Sequence, residues 1–555
     1  MHRDVPAASA PTAVQPGHGW WRGAVIYQIY PRSFLDTTGD GVGDLRGITR
    51  GLDYIADLGV DAIWLSPFFP SPMQDFGYDV LDHHGVDPMF GSLGDFDELV
   101  REAHGRGLRV LIDLVLSHTS DRHPWFIESR QSRSNPKADW YIWADPKADG
   151  TPPNNWLSVF GGPAWEWDTR RRQYYMHNFL TCQPDLNFHN PDVQDALLDI
   201  ARYWLDRGVD GFRLDTVNMY AHDPALRDNP PLLAGRTVTG VPAENPLAMQ
   251  EPVYNINRPE TLGFLERLRA LLDRYGDTAT VGEIGVTADA YGLIQAYTTQ
   301  HRLHMAYSFD FLGTEFSAAH VRRAVERLQD SGGGAWPNWA FSNHDVPRVM
   351  TRWGLEDETA AAAPLLVALS TCLRGSACVY QGEELGLPEA VVPYEELQDP
   401  YGIRFWPAFK GRDGCRTPMP WTSAPGQGFT RGRPWLPIPA SHRARAVDRQ
   451  AADPDSVLNR IRRFLHWRKG VPALWWGDIR FLDVPEPALA FERAHADGRL
   501  LCAMNLSGHS LEIAPAAGPI RALLTAGGFE TAAQATSAGI RLGPWGAAFA
   551  VLPPR

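Results

Sequence analysis

Three carboxylates stand where short apolar runs end. Asp215 closes Gly211-Phe212-Arg213-Leu214-Asp215, Glu283 closes Val281-Gly282-Glu283, and Asp345 follows Phe341-Ser342-Asn343-His344. A charged pair such as Arg213 and Asp215 is costly to bury unless partners satisfy it or it has work to do. Taken alone, Arg213-x-Asp215 reads equally well as a structural ion pair. Three acidic ends spread over the chain, each closing a strand-like run, are what a parallel barrel with its chemistry at one rim presents. A second cluster suggests ion binding. In DTTGDGVGD, Asp36, Thr38, Asp40, Val42 and Asp44 fall at every second position of a Gly-rich loop. Alternating oxygen ligands, with Val42 offering its carbonyl, suit a hard divalent cation, calcium first and magnesium second. The twelfth position is Gly47 rather than Glu, so the loop is not an EF-hand; the competing reading is a polar turn without an ion.

The elements that would position these groups alternate. Val25–Tyr30, Ala62–Leu65, Arg109–Val115, Val209–Leu214, Thr280–Glu283, Met305–Phe309, Trp339–Ser342 and Ala377–Tyr380 read as strands, rich in β-branched and aromatic residues and bounded by turn signals. Helical periodicity lies between them, at Phe96–Gly107, Val193–Asp206 and Leu262–Tyr275. Eight strands in βα alternation predict an α/β chain with a (β/α)8 TIM barrel. The alternation breaks over residues 118–185, which are rich in Trp, Pro and Asn and too long for a plain loop, so a small inserted subdomain is expected. A second irregular stretch spans about 386–453. Beyond the helix Ser456–Lys469, short segments between Gly and Pro turns predict a C-terminal antiparallel β-sandwich over 471–555, leaving 19–117 and 186–470 to the barrel.

Composition bounds the rest. A chain of 555 residues with 44% hydrophobic content carries more than one domain and ample core. The net charge of −13 argues against a nucleic-acid partner, which calls for a basic patch. The 20 Trp are enough to stack on sugar rings in a cleft, although most of them suit a core. Five scattered Cys without a CxxC fit reduced thiols and a cytoplasmic setting. Residues 1–18 lack a signal-length apolar segment and read as a disordered tail. The longest apolar run, Ala360–Leu373, is too short for a membrane span and reads as a buried helix.

The stretches DLVLSHTS (Asp113–Ser120), QPDLN (Gln183–Asn187), GFRLDTVN (Gly211–Asn218), GEIG (Gly282–Gly285) and SNHD (Ser342–Asp345) come in an order and spacing that resemble the α-amylase superfamily, glycoside hydrolase family 13. Within it the chain resembles the oligo-1,6-glucosidase and α-glucosidase branch. The resemblance implies a retaining α-glucosidase with Asp215 as nucleophile, Glu283 as acid/base and Asp345 as the third carboxylate, gripping substrate hydroxyls. It implies that Arg213 keeps Asp215 ionised and aimed, and that His118 and His344 donate to sugar hydroxyls. Asp75 and Tyr78 match the residues that hold a terminal glucose, and Arg412 matches the partner that pairs with Asp75 and closes the pocket, giving exo attack. Phe160 and Phe179 would line the wall. Thr216 stands where α-1,6-cleaving members carry Val, so α-1,4 glucosides such as maltose are the expected substrates. Glucosyl transfer to acceptors would accompany hydrolysis. Sucrose hydrolysis, trehalose synthesis or α-1,6 cleavage on the same scaffold are the alternatives. A non-catalytic transporter heavy chain, which loses its carboxylates, is the remote one. The sequence carries no organic-cofactor motif and leaves the oligomeric state open.

Overall fold

The computed structural model describes residues 19–553 apart from 300, 331–333, 425–427, 515–522 and 538, with residue 330 as backbone only. The tail expected at residues 1–18 lies outside the described residues. The strands are β1 (Val25–Ile29), β2 (Ala62–Leu65), β3 (Arg109–Leu114), β4 (Trp143–Ala144), β5 (Trp165–Asp168), β6 (Gln173–Met176), β7 (Gly211–Leu214), β8 (Ala279–Ile284), β9 (Met305–Ser308), β10 (Asn338–Ala340) and β11 (Ser376–Tyr380). Eight of them form one parallel sheet in the order β10-β11-β1-β2-β3-β7-β8-β9. A parallel bridge between Ala306 and Pro337 brings the two edges together, so the sheet is a nearly closed barrel. Its strands are buried almost throughout, as helices packed outside and side chains packed inside require. Gly211 sits at φ 147° where β7 passes β8, and a Cβ there would lie 1.8 Å from the Ala279 carbonyl oxygen. That is why the run ending in Asp215 begins with glycine.

Three excursions from the strand ends rise over one rim. After β3 the chain makes a small antiparallel sheet in the order β4-β6-β5. After β7 it wanders from residue 216 to the helix Thr261–Leu272, an excursion whose lack of periodicity gave no sequence signal. After β11 come, among the described residues, only short helical turns, including Pro400–Phe405 and Asp413–Cys415, up to the helix Val457–Lys469. The three meet in one apolar cluster of Val159, Phe160, Val238, Leu247, Ile256 and Tyr401, which also takes in Met219 and Val286 from the barrel rim. Burial of such side chains contributes about 1.5–3 kcal/mol each.

The C-terminal region holds β12 (Asp478–Leu482), β13 (Ala488–His495), β14 (Gly498–Asn505), β15 (Leu511–Ile513), β16 (Ala533–Ala535), β17 (Ile540–Leu542) and β18 (Ala547–Leu552). They make two antiparallel sheets, β12-β13-β14-β18 and β15-β17-β16. Leu501, Ala503 and Ala550 of the first pack on Ile513, Ile540 and Leu542 of the second.

Candidate active site

Arg213 is the centre of the rim. Its side chain is buried, and its Nη1 donates to Asp215 Oδ1 at 2.7 Å and to Asp113 Oδ1 at 2.8 Å. Its Nη2 meets Glu283 Oε2 at 2.5 Å and the Tyr307 hydroxyl at 3.0 Å. One guanidinium therefore holds the ends of β7 and β8 and fixes both carboxylates toward the same space. The residue after Asp215 finishes the arrangement. Thr216 lies at φ 40°, in the left-handed region that β-branched residues rarely occupy. The resulting turn points its amide at Glu283 Oε2 (3.1 Å) and its hydroxyl at Asp215 Oδ2 (3.3 Å). Strained backbone of this kind persists where the surroundings over-determine it.

Asp345, beyond β10, is reached by Arg416 Nη2 at 3.1 Å and Arg412 Nη1 at 3.3 Å. Arg412 also donates through Nη2 to Asp75 Oδ1 and to Asp399 Oδ1, both at 2.8 Å. The Asp75–Arg412 pair expected from the sequence thus joins residues 337 apart in the chain. Gln183 donates its amide to Asp75 Oδ2 at 3.0 Å, holding the other side of that carboxylate. The Phe160 ring lies 5.0 Å from the Arg412 guanidinium and 5.7 Å from Phe179. Asp399, Arg416, Gln183 and Tyr307 received no role from the sequence. Gln183 stood inside the QPDLN stretch, whereas Asp399 sits in an irregular segment whose pattern gave no clue.

These groups border a cavity of about 590 Å³. Asp75, Tyr78, His118, Phe160, Phe179, Asp215, Thr216, Glu283, Asp345 and Arg412 all line it. Burial pushes the Glu283 carboxyl up to about 8 against the pull of Arg213, with the charges of Asp215 and Asp345 adding to the rise. Burial pushes Asp215 up to about 7, restrained by Arg213 and raised further by Asp113 and Asp345. Both carboxyls are raised, so they titrate as a coupled pair. For Asp345 burial opposes the charge, but the His344 ring, Arg412 and Arg416 prevail and hold it well below the usual carboxylate range. The arrangement offers an acid, an anion fixed beside a guanidinium and a second anion, all facing one enclosed space.

One expectation needs correction. His344 does not line the cavity: its Nδ1 meets the Gln28 amide at 2.8 Å and its Nε2 the Tyr78 hydroxyl at 2.6 Å. Its ring instead stacks behind Tyr78, centroids 5.5 Å apart, and so braces the ring that faces the cavity. His118 does line the cavity, and burial drops it to about 4, which leaves it neutral. Tyr78, Phe160 and Phe179 give the cavity its aromatic walls, and no Trp is among the residues lining it. Glu384 accepts from the Tyr27 and Tyr54 hydroxyls away from this cavity.

The Asp36–Asp44 loop has the hard-oxygen chemistry a divalent cation takes. Its carboxylates are nevertheless engaged already. Asp36 accepts from the amides of Thr38, Gly39 and Gly41, and Asp44 accepts from Thr37 and caps the helix Leu45–Leu58 through the Gly47 amide. Asp40 accepts only from the Val42 amide and is exposed. The charge of these three carboxylates is thus met by N–H donors. Among the described residues no group of three His, Cys, Asp or Glu side chains converges as a metal site. The side chains of this loop are not assembled around a shared centre.

Residues 28–477 match the alpha amylase catalytic domain model. The chain belongs to this family. It is 56% identical to the probable alpha-glucosidase of Rhizobium meliloti (strain 1021) over 547 residues, covering 97% of this chain and 98% of that one. It is 35% identical to the oligo-1,6-glucosidase of Parageobacillus thermoglucosidasius, covering 88% and 90% of the two chains. Among solved structures, the alpha-glucosyl transfer enzyme XgtA superposes with a TM-score of 0.94 at 59% identity, covering 97% of this chain and 100% of that one. The trehalulose synthase MutB of Pseudomonas mesoacidophila MX-45 gives 0.86 at 32%, with the same coverage. This member of the α-amylase family is accordingly a glycoside-processing enzyme, with its candidate residues at the rim where a barrel of this kind carries its chemistry.

Proposed function

We propose that the enzyme is an exo-acting, retaining α-glucosidase that takes terminal glucose, α-1,4-linked by preference, from short oligosaccharides such as maltose. The observation that carries this reading is the single guanidinium of Arg213 holding Asp215 and Glu283 toward one enclosed cavity. Asp215 attacks the anomeric carbon and forms a C1–O ester. Glu283 gives its proton to the departing oxygen as that C1–O bond breaks, then takes a proton from water or an acceptor hydroxyl, which adds to C1 and releases Asp215. Net hydrolysis consumes one water; transfer exchanges one alcohol for another. Asp345 grips two hydroxyls of the ring, His118 bonds a third, and Tyr78 lies against the ring face.

Exo attack follows from the wall behind that ring. Arg412, tied to Asp75 and Asp399, blocks the path a longer chain would need on the non-reducing side. Transfer beside hydrolysis is supported by the likeness to XgtA. Thr216 leaves a hydroxyl beside Asp215 where a Val would place a methyl, which supports the α-1,4 preference. The cytoplasmic setting is part of the proposal, supported by five free thiols. A structural calcium or magnesium in the Asp36–Asp44 loop is a separate proposal, supported by its all-oxygen donor set.

The test is glucose release from maltose, isomaltose, sucrose and trehalose side by side, with products resolved by chromatography. Release from maltose with little from isomaltose is the expected result. Strong isomaltose cleavage would overturn the linkage reading and favour the oligo-1,6-glucosidase relatives. No glucose from any of the four would overturn the glucosidase reading itself.

A further inference from the structure

Arg213 serves two carboxyls that need opposite things. Asp215 must be an anion to attack C1, whereas Glu283 must carry a proton to give away. A guanidinium favours the charged form of any carboxyl it bonds. Its two terminal nitrogens treat the pair differently. Nη1 donates to Asp215 Oδ1 at 2.7 Å and to Asp113 Oδ1 at 2.8 Å. The hydrogen bond from Nη2 goes to the Tyr307 hydroxyl at 3.0 Å, and Glu283 Oε2 meets the same nitrogen as an ion-pair contact alone.

Tyr307 stands there by register. β8 and β9 pair Glu283 with Tyr307, so the two side chains leave neighbouring strands side by side on one face of the sheet. The Tyr307 ring lies 6.0 Å from the Arg213 guanidinium and the Trp64 ring 5.0 Å from it. Trp64 also donates through Nε1 to Asp113 Oδ2 at 3.3 Å. Tyr307 is buried and is not among the residues lining the cavity, so it reaches the reaction only through Arg213. Burial holds its hydroxyl well above the usual phenol range, which keeps it a neutral acceptor. Phenylalanine would fill the same space among the inner side chains of the barrel. The hydroxyl is the part that needs a reason.

We propose that Tyr307 is a positioning residue that occupies the Nη2 donor of Arg213 and so lets Glu283 keep its proton beside a cation. Without the hydroxyl, the N–H now given to Tyr307 is released next to Glu283 Oε2, 2.5 Å from the same nitrogen and already accepting from the Thr216 amide. A second donor turned on that oxygen stabilises the carboxylate and drives the proton off. With the hydroxyl in place, the nucleophile receives the aligned bond and the acid receives only proximity. The inference rests on the acid/base role given to Glu283 above and adds the residue that protects it.

The test is the pH dependence of kcat/KM for the full-length enzyme and for Tyr307→Phe on two donors. Maltose needs a protonated leaving oxygen, whereas α-glucosyl fluoride does not. On maltose the alkaline limb of Tyr307→Phe should move to lower pH by about 0.5–1 unit, a loss of about 3–10-fold at a fixed pH on that side. The acid limb should move by less than about 0.2 unit, because Nη1 still holds Asp215. On α-glucosyl fluoride the alkaline sides of the two enzymes should superimpose. Tyr307→Leu, which removes the ring as well, should show the same displaced limb on a lower plateau, and circular dichroism of each variant reports folding. A lower plateau with unmoved limbs, equal movement of both limbs, or an equal loss on fluoride and maltose would make Tyr307 a packing residue and overturn the inference while the glucosidase reading stood. A wild-type maltose profile without an alkaline limb would overturn the acid role of Glu283 and this inference with it.

Discussion

At the inner end of the cavity every polar side chain is fixed by another: Arg213 by Asp113, Asp215 and Glu283, and Arg412 by Asp75, Asp345 and Asp399. At the outer end the wall is Phe309, Val286, Val241 and Phe409, and its one guanidinium, on Arg352, is spent on carbonyls. The inner end stands mainly on the barrel, whose strand ends deliver Arg213, Asp215 and Glu283 at set heights. The outer end is formed by loops beyond the strands, with Val241 after β7, Val286 after β8, Phe309 after β9 and Phe409 after β11. The difference separates two tasks. Precise charge placement comes from rigid parallel strands, and the shape of the neighbouring site comes from loops that can change without disturbing it. Variants at the inner end should therefore lower the rate on every substrate. Variants at the outer end should redistribute acceptors.

The largest effect expected is from Asp215→Asn. The side chain keeps its volume, the circular dichroism should match wild type, and kcat/KM for maltose should fall by about 10,000-fold or more. Retention of wild-type turnover would remove Asp215 from the chemistry. Arg412→Ala comes next. It strips a buried partner from Asp75 and Asp399 and opens the wall, so maltose kcat/KM should fall by about 100-fold while activity on longer maltooligosaccharides relative to maltose rises. A loss of equal size on all chain lengths would show that Arg412 braces the fold without setting the exo preference.

The sequence revealed these two ends unequally. The strands carrying the inner residues announced themselves by apolar runs closed with charge, and Gly211-Phe212-Arg213-Leu214-Asp215 became β7 with its acid at the end. Asp75 and Arg412, far apart in the chain, could be paired only through family resemblance, because no local pattern encodes a contact between two loops. The outer end left almost no trace. Residues 216–260 have no period, and the glycines beside Phe309 matter only because the fold brings Gly240, Gly285 and Phe309 together. His344 misled in the opposite sense. Its neighbour Asp345 is in the cavity, and one residue of strand-end geometry turns the ring away to stack on Tyr78.

The pH profile sharpens the inner end further. Below about 7 Asp215 gains a proton and the nucleophile is lost, and above about 8 Glu283 loses the proton the leaving group needs. The log of kcat/KM against pH should be bell-shaped with its maximum between those limbs, each limb belonging to the pair as a whole. A profile flat through this range would mean that the two carboxyls do not share one proton. The smallest effect concerns a region remote from both ends. The amides already hold Asp36 and Asp44, so a cation adds to a loop that stands without it. Chelation should lower Tm by only about 1–3 °C and leave kcat on maltose unchanged. An unchanged Tm would argue against a bound ion, and a collapse of activity would contradict a structural role.

The most direct measurement is to trap the glucosyl group. In Glu283→Gln the acid/base is gone, but fluoride leaves α-glucosyl fluoride without protonation, so the first step proceeds and the second stalls for want of a base. Intact-mass and peptide mapping of that variant should show one glucosyl unit on the peptide containing Asp215, released when azide replaces water as nucleophile. A full turnover with no adduct, or a glucosyl unit on any other carboxylate, would contradict the account.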